Sequence, residues 1–293
     1  MTTNRVLFDA PGPRSLRRIR LATVVAELAG ALVVAYALGQ FNAAGQLAAD
    51  RWQPFAQQAY LLFLGQGLVG TLKATAVAAL FAFPFGGALA LMRLARNPVV
   101  RYLGTGYVEL FRAVPLLLLI YAFLLALPPL GVNLPIFWKL VVPIVMVSSA
   151  VLAEVFRAGI RALERGQSEA ASSIGLTYWQ SMRIVVLPQA IRLVIPTLVA
   201  QLVSILKDST LGYVVSYPEL MRQGDNLTVF THLLIQTYLV IAVIYVVINF
   251  ALSQLATALQ RRLQRTRSVG PAAGAVNGRV GVDKPPTVAT VLH

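Results

Sequence analysis

The chain has 293 residues, of which 57% are hydrophobic and only 12% are charged. Soluble globular domains are about 25% charged, so this composition indicates a protein that lies largely in lipid. The formal net charge of +14 would suggest a nucleic-acid partner in a soluble protein, but here the basic residues flank apolar segments, which favours a membrane. The sequence has no cysteine and two histidines. This excludes disulfides, a thiol nucleophile and cysteine-based metal sites, and argues against a histidine metal centre.

Taken in chain order, six apolar segments are each long enough to cross about 30 Å of hydrocarbon. We predict transmembrane helices near residues 21–38, 68–92, 107–127, 137–156, 188–206 and 233–255. The first segment exceeds the apolar core of a signal peptide and has no evident cleavage site, so we expect an uncleaved span. In the second, Ala82, Gly86 and Ala90 recur at four-residue spacing, which favours close helix packing in lipid. The fold class is therefore predicted as an all-α polytopic membrane protein with six transmembrane helices.

The basic residues are distributed unevenly between the two sides that these spans define. Of the 25 Lys and Arg residues, twenty lie on the side that holds both termini and four on the other side. Because basic residues are retained in the cytoplasm, both termini are predicted to be cytoplasmic. This orientation also places the polar stretch between the fourth and fifth spans, residues 157–187, in the cytoplasm.

Residues 157–187, called the elbow below, predict two short helices joined by a sharp corner. Residues 167–174 are good helix formers, and Gly175 can take the left-handed backbone that ends a helix. Thr177 and Gln180 have the spacing of a capping box. A second helix is therefore expected to begin at Thr177.

The end of this second helix is predicted at Leu187, because the following proline disfavours helical backbone in the residue before it. Pro188 itself suits the first turn of the apolar helix that follows. The elbow is thus expected to be a compact helical corner between two membrane segments.

The residues of the elbow resemble a known signature. Glu169-Ala170-Ala171, Gly175 and Leu187-Pro188 resemble, with their spacing, the EAA signature of ABC importer permeases. Further stretches resemble the polar amino acid branch of that family: Glu154-Val155-Phe156-Arg157, Gly166-Gln167, Leu187-Pro188-Gln189-Ala190 and Lys207-Asp208. The resemblance covers roughly residues 66–260, and residues 6–13 also resemble the start of actinobacterial glutamate permeases.

The resemblance implies that the elbow is a coupling helix seated in a groove of a separate ATP-hydrolysing subunit. The residues to which it gives this role are Gly166, Glu169, Ala170, Ala171, Gly175, Leu187 and Pro188. The implied partners are an ATP-binding subunit dimer, a second permease subunit (identical or different), an extracytoplasmic solute-binding protein and membrane lipid. Nucleic acid is not expected as a partner.

The sequence shows no nucleotide site of its own. A Walker lysine and an acid–base dyad are absent, and the G-x-G-x-x-G pattern at residues 65–70 follows no predicted strand. We therefore expect a transporter subunit rather than an enzyme. It should bind no cofactor and no metal, with ATP held by the partner subunit.

Four regions follow from these expectations. Residues 1–20 form a basic cytoplasmic N-terminus, and residues 21–64 form an additional transmembrane helix with an external loop. Residues 65–260 form the permease domain that contains the elbow, and residues 261–293 form a basic and then disordered cytoplasmic tail.

Two pairs of opposite charges are candidates for a gate. Glu109 and Arg112, and likewise Glu154 and Arg157, are three residues apart and so lie one helical turn from each other. Each pair is either a gate or coupling ion pair or an interfacial pair that helps to end its helix. An isolated pair of this spacing contributes only about 0.2–0.5 kcal/mol, which keeps the second interpretation open.

Polar residues within the spans are candidates for the substrate pathway: Ser148, Ser149, Gln201, Ser204 and Lys207. The alternative is that they bond their own or a neighbouring helix, or, for Lys207, that it pairs with Asp208. Val147 and Val151 replace residues that are often Asn and Tyr in the family, so family substrate contacts are not transferred.

The function expected from these observations is that of a permease subunit of a bacterial plasma-membrane ABC importer for polar amino acids, with glutamate as the first substrate candidate. The alternative is a stand-alone secondary transporter or channel. Such a protein would be expected to carry buried carboxylates near mid-membrane. Glu27 is the only acid within a predicted span and away from its ends, and it lies in the additional first span. An intramembrane enzyme is more distant still.

Overall fold

The computed structural model describes residues 12–163, 171 and 173–265, and every regular element in these ranges is helical. Gly166, Glu169 and Ala170, which were predicted to couple to an ATPase, lie outside the described residues, as does the predicted disordered tail from residue 268. In chain order the described α-helices are α1 Pro13–Ala43, α2 Ala49–Trp52, α3 Gln58–Arg93, α4 Pro98–Ala113, α5 Leu116–Tyr121, α6 Ile136–Arg161, α7 Tyr178–Gln180, α8 Leu187–Asp208, α9 Leu220–Thr231 and α10 Leu234–Arg265.

Among the described residues, five helical stretches are long and apolar enough to cross a membrane, and a bent helix pair brings the number to six when it is counted as one span. Five helical stretches are individually long and apolar enough to span: Arg14–Ala43, Gln58–Arg93, Ile136–Arg161, Tyr178–Val215 and Leu234–Leu255. The sixth crossing is the pair formed by α4 and the α5 stretch to Ala126, which passes the same test only when taken together. The prediction of an all-α protein with six transmembrane helices is confirmed in this form.

The third crossing is not the continuous helix that was predicted for residues 107–127. It is divided at Val114 and Pro115, where the two helices meet at an angle of 97°. Proline disfavours helical backbone in the residue before it, and Val114 accordingly takes the extended values φ −84° and ψ 125°. A single proline therefore converts one predicted span into a bent pair.

The elbow differs from its prediction in the opposite way. Helical backbone does not end at Leu187 but continues from Tyr178 to Val215. Leu187 keeps helical dihedrals (φ −62°, ψ −43°), and the preceding residues, Ser181–Val186, form a π-helical turn. The π-helical turn ends two residues before Pro188, which lies in the first turn of α8 as predicted. A proline is tolerated there because its missing backbone donor has no partner in the first turn of a helix.

The core is centred on α3 and α6, which pack along much of their length. Ala82, Gly86 and Ala90 are buried in this interface, as their spacing predicted. A Cβ atom placed on Gly86 would lie 2.6 Å from Cβ of Leu152 and 2.9 Å from the carbonyl oxygen of Ser149, both in α6. The absence of a side chain at Gly86 therefore sets how closely the two helices approach.

The first helix is set apart from this core. None of the residues in the apolar window of α1 is buried by the described part of the chain. The segment after it is held to α10 through Gln46, whose carbonyl oxygen accepts from Nε2 of buried Gln236 at 2.8 Å. Arg51 donates to the side chain of Gln46, also at 2.8 Å. These bonds anchor the connection between α1 and α3 where α10 begins.

Candidate functional site

Five charged side chains from three helices form one cluster, called the charged cluster below. Its members are Arg93 of α3, Glu109 and Arg112 of α4, and Glu154 and Arg157 of α6. They lie near the end of α3, close to the end of α6, and thus at one end of the helical core. The cluster joins all three helices through charge-assisted hydrogen bonds, which are stronger than neutral ones.

Glu154 is the centre of the charged cluster. Its Oε2 accepts from Nε and Nη2 of Arg157 at 3.0 Å and 2.7 Å, a two-pronged contact within α6. Its Oε1 accepts from Nη1 of Arg93 and, at 3.3 Å, from Nη1 of Arg112. The predicted pairing of Glu154 with Arg157 is thus present, but it is one part of a larger network.

Arg93 is the member that the sequence did not single out. Its side chain is only 8% exposed, and it bridges Glu154 and Glu109, with Nη2 3.3 Å from Oε1 of Glu109. Glu109 therefore pairs with Arg93, while its predicted neighbour Arg112 pairs with Glu154. In the sequence, Arg93 is one of several basic residues at the end of a predicted span. Its two partners are 16 and 61 residues away, so the local sequence does not indicate these contacts.

The corner of the elbow has the geometry that its sequence predicts. Gly175 has φ +83°, the left-handed region that glycine enters without strain. The backbone N–H of Leu176 donates to the carbonyl oxygen of Ala171 at 3.2 Å, the bond that closes a helix over such a glycine. The N–H and hydroxyl of Thr177 both donate to Oε1 of Gln180 at 2.9 Å. These contacts fix the direction in which the next helix starts.

Of the predicted coupling residues, Ala171, Gly175, Leu187 and Pro188 are described. Ala171 is buried, whereas the residues around the corner expose large apolar side chains: Ile174 is 77% and Trp179 64% exposed. Ile184, within the π-helical turn, is also 64% exposed. The elbow thus presents an apolar surface, which is typical of a site covered by another protein or by lipid.

The predicted pathway residues divide into two groups. Ser148 and Ser149 are buried in the packing of α6. Oγ of Ser149 donates to the carbonyl oxygen of Met146 at 3.0 Å and lies 3.3 Å from the hydroxyl of Tyr107. Both serines therefore lie between helices and not on an open surface. Ser204 and Lys207, in contrast, are exposed on α8, and Oγ of Ser204 donates to the carbonyl oxygen of Ala200 at 3.2 Å, which is the predicted alternative of a bond within its own helix.

Ser204 and Lys207 line a cleft between α8 and α10 with a volume of about 410 Å³. Ser253 and Thr257 of α10 complete the polar lining of the cleft, and neither residue was predicted from the sequence. Gln201 was predicted on the same face but is half-buried, and the residues around the cleft do not include it. Within the described ranges Lys207 forms no ion pair, so the expected alternative of a bond to Asp208 is not seen.

A fully buried acid lies outside the charged cluster and outside the lining of the cleft. Glu219 is fully buried at the start of α9, where its carboxylate accepts from the N–H groups of Met221 and Arg222 at 2.8 Å and 2.6 Å. The hydroxyl of Tyr245 in α10 donates to it at 3.2 Å. Burial raises the pKa of Glu219 to about 7, although the backbone hydrogen bonds act in the opposite direction. Glutamate is not a preferred N-cap residue, so the position of Glu219 in the sequence did not predict this capping role.

Comparisons with known proteins agree with this architecture. The family model for the binding-protein-dependent transport system inner membrane component matches residues 82–265, more than half of the chain. The glutamate transport system permease protein GluD of Corynebacterium glutamicum is 34% identical over 228 residues, which cover 76% of this chain and 84% of that protein. The probable glutamine ABC transporter permease protein GlnM of Bacillus subtilis is 38% identical over 200 residues, which cover 68% and 93%.

A solved structure gives the same result at the level of the fold. The crystal structure of an amino acid ABC transporter with histidines superposes with a TM-score of 0.66 at 34% identity, over 70% of this chain and 95% of that chain. Sequence signature, helical architecture and relatives therefore agree with one another. The chain belongs to the family of binding-protein-dependent transport system inner membrane components, and within it to the polar amino acid ABC permeases.

Proposed function

We propose that this chain is the permease subunit of an ATP-driven importer for polar amino acids, with glutamate as the first substrate candidate. It lies in the plasma membrane of a bacterium with both termini in the cytoplasm. It forms the translocation pathway with a second permease subunit and receives substrate from an extracytoplasmic solute-binding protein. A separate dimer of ATP-binding subunits hydrolyses ATP and is coupled to the pathway through the elbow.

The exposed apolar surface of the elbow is the observation that carries this proposal. Ile174 and Trp179 flank a corner that is fixed by the left-handed Gly175 and the capping contacts of Thr177. Large apolar side chains at this corner favour a cover of protein or lipid over water, and tryptophan is enriched at the centres of protein interfaces. An ATP-binding subunit is the partner that the family membership supports.

The charged cluster is suited to be a gate at the same end of the helical core. Its ion pairs hold α3, α4 and α6 together, yet Glu109 and Arg112 are 60% and 44% exposed. Water can therefore replace these outer contacts at little cost in free energy, because exposed ion pairs contribute about 0–1 kcal/mol each. The same contacts reform when the helix ends come together again.

Glutamate is supported as substrate by two observations. The name of the first relative above is that of a glutamate permease, and the second is that of a probable glutamine permease. In addition, the described lining of the cleft along α8 contains one cation, Lys207, while the hydroxyls of Ser204 and Thr257 donate to carbonyl oxygens of their own helices. An anion in a poorly hydrated pathway needs such a cation, because an uncompensated charge there costs several kcal/mol.

The coupling role is tested with Gly175→Val. A β-branched residue at φ +83° is strained by on the order of 1–3 kcal/mol and distorts the corner. We expect the variant to insert normally but to lose substrate-stimulated ATP hydrolysis when assembled with its partner subunits. The matched control is Gly45→Val, which has φ +66° and no atom within 4 Å of its added Cβ, and which lies outside the elbow. Full stimulation in Gly175→Val would remove the coupling role from the elbow.

A further inference from the structure

A cation–π contact joins the elbow to the corner between α3 and α4. The guanidinium carbon of Arg96 lies 5.0 Å from the ring centroid of Tyr178, the first residue of α7. Tyr178 directly follows Thr177, whose capping contacts fix the direction of α7. The ring of Tyr178 therefore directly follows the capped start of α7. Nothing in the family signature described above includes either residue.

The segment that carries Arg96 is tightly held on both sides. The N–H of Leu94 donates to the carbonyl oxygens of Ala90 and Leu91, and that of Ala95 donates to Met92 at 3.1 Å. On the other side, Oδ1 of Asn97 accepts from the N–H of Val99 at 2.9 Å and caps α4. The backbone on both sides of Arg96 is thus bonded to the ends of α3 and α4.

The same short segment also carries the central arginine of the charged cluster. Arg93 lies three residues before Arg96, at the last position of α3, and bonds both Glu154 and Glu109. One short turn therefore presents Arg93 to α4 and α6, and Arg96 to the elbow. The two functional elements described above are mechanically adjacent at this turn.

We infer that Arg96 is a positioning residue that transmits movement of the elbow to the charged cluster through its contact with Tyr178. The inference rests on the proposed function, since it concerns the coupling of ATP hydrolysis to transport. When the elbow moves with its ATP-binding partner, Tyr178 displaces Arg96, and the turn displaces Arg93 relative to Glu154. Loss of the contact leaves ATP hydrolysis intact but less effective in opening the pathway.

The test measures substrate transported per ATP hydrolysed by the complete complex in proteoliposomes. Arg96→Ala and Tyr178→Leu should each lower this ratio about two- to fivefold, the range of an exposed cation–π contact. Tyr178→Phe keeps an aromatic face and should behave as the wild type, and Arg96→Lys, which keeps the charge, should fall between wild type and Arg96→Ala. The double variant Arg96→Ala with Tyr178→Leu should be no worse than either single variant.

The matched control is Arg101→Ala. Arg101 lies 6.0 Å from the ring of its neighbour Tyr102 within α4, so this substitution removes a similar contact that does not reach the elbow. In Arg101→Ala the amount of substrate transported per ATP hydrolysed should remain that of the wild type. An unchanged ratio in Arg96→Ala, equal losses in Tyr178→Phe and Tyr178→Leu, or additive losses in the double variant would each overturn the inference. Failure of the proposed function itself is distinct, because the wild-type complex would then show no ATP-driven uptake.

Discussion

The guanidinium of Arg93 donates directly to the carboxylate of Glu154, although the two residues are 61 positions apart in sequence. This contact joins the end of α3 to α6 at a point where Arg112 and Arg157 also reach the same carboxylate. One carboxylate therefore contacts three arginines, and Glu109 supplies the second negative charge of the cluster. The arrangement makes Glu154 the most sensitive member of the charged cluster.

Glu154→Gln should lower the stability of the protein by on the order of 1–3 kcal/mol, because the buried Arg93 loses its main charged partner. The thermal midpoint of the purified protein measures this loss. Arg222→Gln is the control, since it breaks a pair with Asp225 in which both side chains are about one-third exposed or more. That substitution should cost at most about 1 kcal/mol. Equal shifts in the two variants would contradict the central position of Glu154.

Gly86 and Gly87 should respond oppositely to alanine. The added Cβ of Gly86→Ala meets Leu152 at 2.6 Å, so the packing of α3 on α6 must open, at a cost on the order of 1–3 kcal/mol. In Gly87→Ala the nearest atom, in the ring of Phe156, is 3.9 Å away. That variant should gain up to about 1 kcal/mol from the better helix propensity of alanine. A comparable thermal midpoint for both variants would exclude a special role of Gly86 in the interface.

Glu219 should make stability depend on pH near neutrality. Its pKa is raised to about 7 in the folded protein from an ordinary value of 4.5. Its stabilising contribution is therefore fully present below pH 4.5 and is lost as the pH rises through about 7. The full difference is on the order of 3 kcal/mol. The thermal midpoint should fall between about pH 5 and pH 8 in the wild type, and much less in Glu219→Gln. Parallel pH profiles would show that other groups are responsible.

Lys207→Met should weaken uptake of glutamate more than uptake of any neutral amino acid that the complex accepts. The methionine nearly keeps the length of the side chain but removes the one cation that the described residues contribute to the lining of the cleft. Lys73→Met is the control, because Lys73 is also an exposed lysine but lies over the ring of Phe137, outside the cleft. Uptake rates are compared at equal amounts of protein in the membrane. Glutamate uptake at the wild-type rate would reject the role of Lys207 and leave the family assignment intact.

The orientation of the chain in the membrane can be determined by labelling single introduced cysteines, since the chain contains no cysteine of its own. A cysteine at Ser15 should react with a membrane-impermeant reagent only when the cytoplasmic face is accessible. A cysteine at Asn226, in the exposed surface of α9, should react only from outside. Reaction of both from the same face would contradict the six-crossing topology with a cytoplasmic N-terminus.

Features that depend on neighbouring residues could be predicted from the sequence. The left-handed Gly175, the contact of Thr177 with Gln180 and the close packing at Gly86 all follow from spacing and from the properties of single residues. The coarse order of the six crossings follows in the same way from runs of apolar residues.

Features that depend on competition between local preference and packing, or on contacts between residues far apart in sequence, could not be predicted. Two prolines had opposite effects: Pro115 divides a crossing, whereas the helix continues through Pro188 behind a π-helical turn. Local preference is the same in both places, and the surrounding packing decides. The bridging position of Arg93 and the burial of Glu219 arise only when helices far apart in sequence come together.

Continuous helical backbone runs from Tyr178 to Val215 and includes the π-helical turn Ser181–Val186. At about 1.5 Å per residue, its 38 residues rise roughly 55 Å along the helix axis. If this stretch tilts as one body by about 5° at Tyr178, its opposite end is displaced by about 5 Å, close to the pitch of one helical turn. A small rotation of the elbow would then produce a displacement of the size of an amino acid at the far end of the fifth crossing.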